Sequence, residues 1–172
     1  MRALVLTGRL GSGKTAVAAQ VQHQLEARGL RSAAVDLDWL CWVGPDLDDD
    51  TLSALLTRNL RAVVAGFAEV GVTHVVMARA LLSSADRGAV EAALPAGCEL
   101  AVVRLEADAT TVGRRLDRRD QGAEQVHVAT IAGEISRLVE SAGVEDHVVD
   151  NGARPIAATA TDVIAVWLES SA

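Results

Sequence analysis

Gly8-Arg9-Leu10-Gly11-Ser12-Gly13-Lys14-Thr15 stands between a short aliphatic run, residues 2–7 (RALVLT), and a pattern in which Val17, Val21 and Leu25 recur until Gly29. The flanks predict a strand, a glycine-rich turn and an amphipathic helix closed by a C-cap glycine. The octapeptide itself fits the spacing GxxxxGK[ST]. In that context glycines let main-chain N–H groups curl around a polyphosphate, and the helix N-terminus adds partial positive charge. Lys14 then reaches the β and γ phosphates, and Thr15 offers a hydroxyl to Mg²⁺. Lys14 is also the only lysine, the other fifteen basic residues being arginine. A compact ammonium is kept where a planar guanidinium would crowd the loop.

Beyond the first helix the same alternation repeats. Ser32 to Val35 reads as a second strand running into Asp36 and Asp38, and Asp48, Asp49 and Asp50 precede a helix from Thr51 to Gly71. Carboxylates suit a helix N-terminus, so capping is the first reading of that triplet and a metal site the alternative. Val72 to Met77, Leu100 to Leu105 and His147 to Asp150 give three further strands. Helices are expected from about Asp86 to Leu94, from Asp108 to Arg119, through Ile131, Ile135 and Leu138 to Gly143, and from after Pro155 to Leu168. Parallel strands need crossover connections, so the predicted class is α/β, a three-layer α/β/α sandwich around a five-stranded parallel sheet.

The chain of 172 residues, 50% apolar and 23% charged, has room for one domain, 1–172, and little more. A net charge of −7 argues against a nucleic-acid partner, which would require a basic face. No charge-free run is long enough to suggest a membrane partner, and a cytoplasmic, soluble protein is expected, either monomer or homodimer. Cys41 and Cys98 lack metal-binding spacing and read as buried free thiols. His23, His74, His127 and His147 show no ligand spacing and receive no role.

The phosphate loop and the order of elements resemble the P-loop NTPase superfamily (the P-loop containing nucleoside triphosphate hydrolase fold). Within it the chain resembles the small nucleoside-monophosphate-kinase-like phosphotransferases, such as shikimate, gluconate and adenylylsulfate kinases and chloramphenicol phosphotransferase. The resemblance implies ATP and Mg²⁺ as cofactors, with Gly8, Gly11, Ser12, Gly13, Lys14 and Thr15 around the phosphates. Asp36-Leu37-Asp38 ends the second strand, where open parallel sheets bind ligands. By resemblance Asp38 takes the proton of an acceptor hydroxyl and Asp36 joins Thr15 in holding the metal; helix capping by one or both is the alternative.

Arg114, Arg115, Arg118 and Arg119 form a dense basic cluster, in which Arg115 and Arg119 share a helical face. The resemblance makes these two a catalytic pair on a short lid, residues 115–127, with Asp120 to His127 as its tip; pairing with Asp117 and Asp120 on a solvated helix is the alternative. Asn151 to Pro155, with Asn151 and Arg154, resembles the loop that holds adenine, against an ordinary turn. Arg79, Trp39 and Trp42 are candidates for gripping an acceptor, core packing being the other reading of the tryptophans. Val75 to Arg79 lacks the aspartate that many P-loop proteins carry there, which weakens a motor or switch reading. The expected activity is transfer of the γ-phosphoryl group of ATP to a hydroxyl of a small molecule. Nucleotide hydrolysis or sensing without such an acceptor is the alternative.

Overall fold

Alternation along the first strand sets the layers. In a computed structural model, which describes residues 1–44, 47–119 and 125–169, strand β1 (Arg2–Thr7) sends Leu4 and Leu6 to one face and Ala3 and Val5 to the other. All four are fully buried. A strand buried on both sides needs helices on both sides, and the two-residue period of its side chains divides it between two cores. On one face β1 meets Val17, Val21 and Leu25 of α1 (Lys14–Ala27) and Val163, Ile164 and Trp167 of α6 (Ile156–Glu169). On the other it meets Leu56, Leu60 and Val64 of α2 (Asp49–Glu69) and Val90 of α3 (Ser84–Ala93).

The remaining strands are β2 (Ser32–Asp36), β3 (His74–Ala78), β4 (Glu99–Glu106) and β5 (His147–Asp150). All pairings are parallel and the order across the sheet is β2-β3-β1-β4-β5. This is the predicted three-layer α/β architecture. Helices α4 (Ala109–Arg119) and α5 (Gln125–Ala142) connect β4 to β5. Because the strands are parallel, their carboxyl ends share one edge, and the chain turns both ways from β1 across that edge. The loops after Thr7, Asp36, Ala78, Glu106 and Asp150 therefore converge, as crevices do in open α/β sheets.

Side-chain caps mark where α2 and α4 begin. Asp48 accepts from the Thr51 amide at 2.7 Å, so the acidic run caps α2. Among the described residues no group of three or more histidine, cysteine or acidic side chains is placed to hold a metal. Asp108 accepts from both the amide and the hydroxyl of Thr111, at 2.8 and 2.7 Å, which starts α4. The cysteines differ from expectation: both are only half-buried, Cys41 against Arg79 in the convergence zone and Cys98 beside Glu99. Burial is still enough to push the Cys98 thiol up. No helix among the described residues is long and apolar enough to cross a membrane.

Candidate active site

The octapeptide leaves β1 and enters α1 through three glycines with positive φ, at Gly8, Gly11 and Gly13. Two of them are demanded by their neighbours. A Cβ at Gly8 would stand 2.6 Å from the Leu105 carbonyl, and one at Gly13 would stand 2.6 Å from Asn151 Nδ2. Gly13 is the N-cap of α1 and supplies no side-chain acceptor, so the first-turn N–H groups keep their capacity for an anion. Lys14 Nζ donates to the carbonyls of Gly8 and Arg9 at 3.0 and 3.1 Å, folding the ammonium over the loop. Ser12 is fully buried, and its hydroxyl lacks a hydrogen-bond partner.

Thr15 Oγ1 donates to Asp36 Oδ2 at 2.8 Å, so the two residues expected to hold Mg²⁺ are already together. The other oxygen, Oδ1, accepts from the Asp38 amide at 3.1 Å and caps the single 3₁₀ turn Leu37–Leu40. Capping and the Thr15 contact are thus shared between the two oxygens of one carboxylate. A hydroxyl and a carboxylate form a hard-oxygen donor pair, which suits Mg²⁺. The pair and the glycine cradle fit the bound group that the motif implies.

Leu37 is fully buried, and this anchors the turn while its neighbours face outward. Asp38 Oδ1 lies 3.1 Å from Arg79 Nη1. That same nitrogen is 3.2 Å from Cys41 Sγ, and Arg79 Nε is buried without a partner. Arg79 follows β3, whose end is locked to β1 where the buried Thr7 hydroxyl accepts from the Leu81 amide at 2.9 Å. Trp39 and Trp42 are 71% and 70% exposed, which rules out core packing for them. Their rings stack on each other at 5.0 Å.

A cleft of about 330 Å³ is lined by Gly11, Gly13, Lys14 and Thr15 on one side and by Asp36, Asp38, Trp39 and Trp42 on the other, with Arg115 at its margin. Arg115 also lines a second hollow of about 450 Å³ between α4 and the loop after β5, with Thr111, Gly152, Arg154 and Pro155. Its guanidinium bridges the two sides, donating to Ser12 O at 3.3 Å and Gly152 O at 3.1 Å. Arg154 lines that hollow while paired with Asp162 at 2.7 Å. Asn151 is buried and its amide turns inward, to Ser12 and Thr159. The side chains of Arg118 and Arg119 and residues 120–124 of the expected lid lie outside the described residues. From the sequence Thr7 has no role and Cys41 reads only as a buried thiol, so neither is expected at this site. Their contacts depend on strand and turn neighbours far apart in the chain, which no local spacing reveals.

A phosphate loop at the carboxyl edge of this parallel sheet defines the P-loop kinase-like fold. Solved structures agree. A sugar kinase from Janibacter sp. HTCC2649 matches with a TM-score of 0.65 and 20% identity, over 98% of this chain and 95% of that one. The Deinococcus radiodurans tunicamycin resistance protein gives 0.66 and 17%, over 95% and 94%. The Mycobacterium tuberculosis APS kinase, in complex with AMPPNP and APS, gives 0.58 and 22%, over 98% and 97%. At these identities the likeness is one of fold. No family model matches the chain, and no curated protein matches its sequence.

Proposed function

We propose that this chain is a kinase that moves the γ-phosphoryl group of ATP to a hydroxyl of a small molecule. The carrying observation is that Lys14, Thr15, Asp36, Asp38 and the tryptophan pair line one cleft. The loop amides and Lys14 bind the donor phosphates, and the hollow beside Gly152 and Arg154 accommodates the base. Thr15 and Asp36 would hold Mg²⁺, directly or through water, and the bound ion would supply charge neutralisation across the phosphates. Asp38 accepts the proton as the acceptor oxygen bonds to the γ phosphorus and the bond to the departing diphosphate breaks. Arg115, with Arg119 as its expected partner on α4, leaves its carbonyl contacts to neutralise charge spreading over the transferred group. Catalysis is then mostly positioning and electrostatics. The exposed faces of Trp39 and Trp42 favour an acceptor that carries a ring. The similar kinase structures, one solved with AMPPNP, support the nucleotide donor.

Labelled ATP incubated with pools of hydroxyl-bearing metabolites should yield a new phosphorylated species. Asp38→Asn should abolish it while ATP affinity stays within about threefold, since the change removes a proton acceptor outside the donor loop. If broad pools give only inorganic phosphate, the hydrolysis or sensing reading replaces this one.

A further inference from the structure

The loop after β5 reaches the phosphate loop through a side chain that faces away from the hollow. Asn151 is 1% exposed. Its Nδ2 donates to the Ser12 carbonyl at 2.6 Å, and its Oδ1 accepts from Thr159 Oγ1 at 2.9 Å. Thr159, on α6, is fully buried. A primary amide has a donor end and an acceptor end; the Ser12 carbonyl can only accept, so it fixes the Nδ2 end toward itself, and the Thr159 hydroxyl then donates to the Oδ1 end and holds the amide in place. The approach is possible because Gly13 has no Cβ, which would stand 2.6 Å from that same nitrogen.

The Ser12 carbonyl belongs to the peptide plane that carries the Gly13 N–H. In a trans peptide the oxygen and the hydrogen point in opposite directions, so holding one aims the other. Ser12 O is held from one side by Asn151 and Arg115, the latter at 3.3 Å, while Gly13 lines the cleft. We infer that Asn151 is a positioning residue for phosphate binding: through the Ser12 carbonyl it aims the Gly13 amide at the donor phosphate, without itself touching nucleotide. This rests on the phosphate loop binding a nucleoside triphosphate, as proposed above. It assigns Asn151 to the phosphate end of the donor and not to its base.

Two ligands separate the ends. Inorganic tripolyphosphate engages the loop alone, whereas ATP also fills the hollow beside Gly152. Titration calorimetry with each, in the presence of magnesium, should show Asn151→Asp losing about tenfold or more in affinity for both, by the same factor, as a buried hydrogen bond becomes a carbonyl–carboxylate repulsion. Thr159→Val preserves shape and should lose about threefold on both, while Thr159→Ser keeps the hydroxyl and should bind as wild type. These two variants carry the test if Asn151→Asp does not fold. A loss confined to ATP would overturn the inference in favour of base recognition. A lowered melting temperature with unchanged affinity for both ligands would reduce Asn151 to a structural role and overturn it as well. Wild-type protein that binds neither ligand would instead bring down the kinase reading itself, and this inference with it.

Discussion

Asp38 and Arg79 share one contact at the mouth of the cleft, and the two tryptophans beside them contact mostly water. Exposed indole rings in a chain with only 2% aromatics contribute little to the core, so removing them should be visible in binding and not in folding. Trp39→Ala and Trp42→Ala are each expected to leave the melting temperature within about 1 °C and to raise the acceptor KM by about tenfold, with the ATP KM unchanged. Steady-state kinetics with each substrate varied in turn checks this. Gly13→Ala should behave in the opposite way. A side chain there meets Asn151 Nδ2 at 2.6 Å and must adopt a φ of 92°, so ATP affinity should fall by at least about tenfold. Calorimetric titration measures it.

At the scale of elements, local chemistry fixes starts more firmly than partners. Ser83 caps α3 by accepting from the Asp86 amide at 3.2 Å, and Asp86 Oδ2 accepts in return from the Leu82 amide at 2.7 Å. Losing the Ser83 hydroxyl's half of that cap in Ser83→Ala should lower stability by about 1 kcal/mol, readable from urea unfolding, with catalysis unaffected. Signals of this kind made the fold legible from sequence: periodic Val17, Val21 and Leu25, the Asp48 and Asp108 caps, and aliphatic strands one crossover apart. The candidate site was legible where it is contiguous, at residues 8–15 and 36–38. The Arg79–Asp38–Cys41 contact was not, nor was the inward turn of Asn151, because each joins segments brought together only by the sheet order β2-β3-β1-β4-β5. The full burial expected of the Cys41 and Cys98 thiols is not found, since both side chains pack against the core only in part.

Over the whole molecule, one titrating group links sheet and outer helix. His74, at the start of β3, meets Trp167 of α6 edge-on with ring centres 5.6 Å apart. Burial, with the Arg2 guanidinium adding repulsion, holds its imidazole below the ordinary value. The unfolded chain therefore takes up this proton more readily than the folded one. The contribution is complete above about pH 6.5 and is lost as pH falls through and below it. Melting curves from about pH 7.5 down to 5 should show a decline that His74→Gln flattens. A second feature reaches further. The sole lysine rests on the carbonyls of Gly8 and Arg9 in the very loop expected to grip the donor. An amine-selective acylating reagent consequently has one side-chain target in the entire polypeptide, so the fraction of protein labelled there becomes a direct gauge of loop occupancy, and a covalent handle for tethering a reporter at the heart of the cleft.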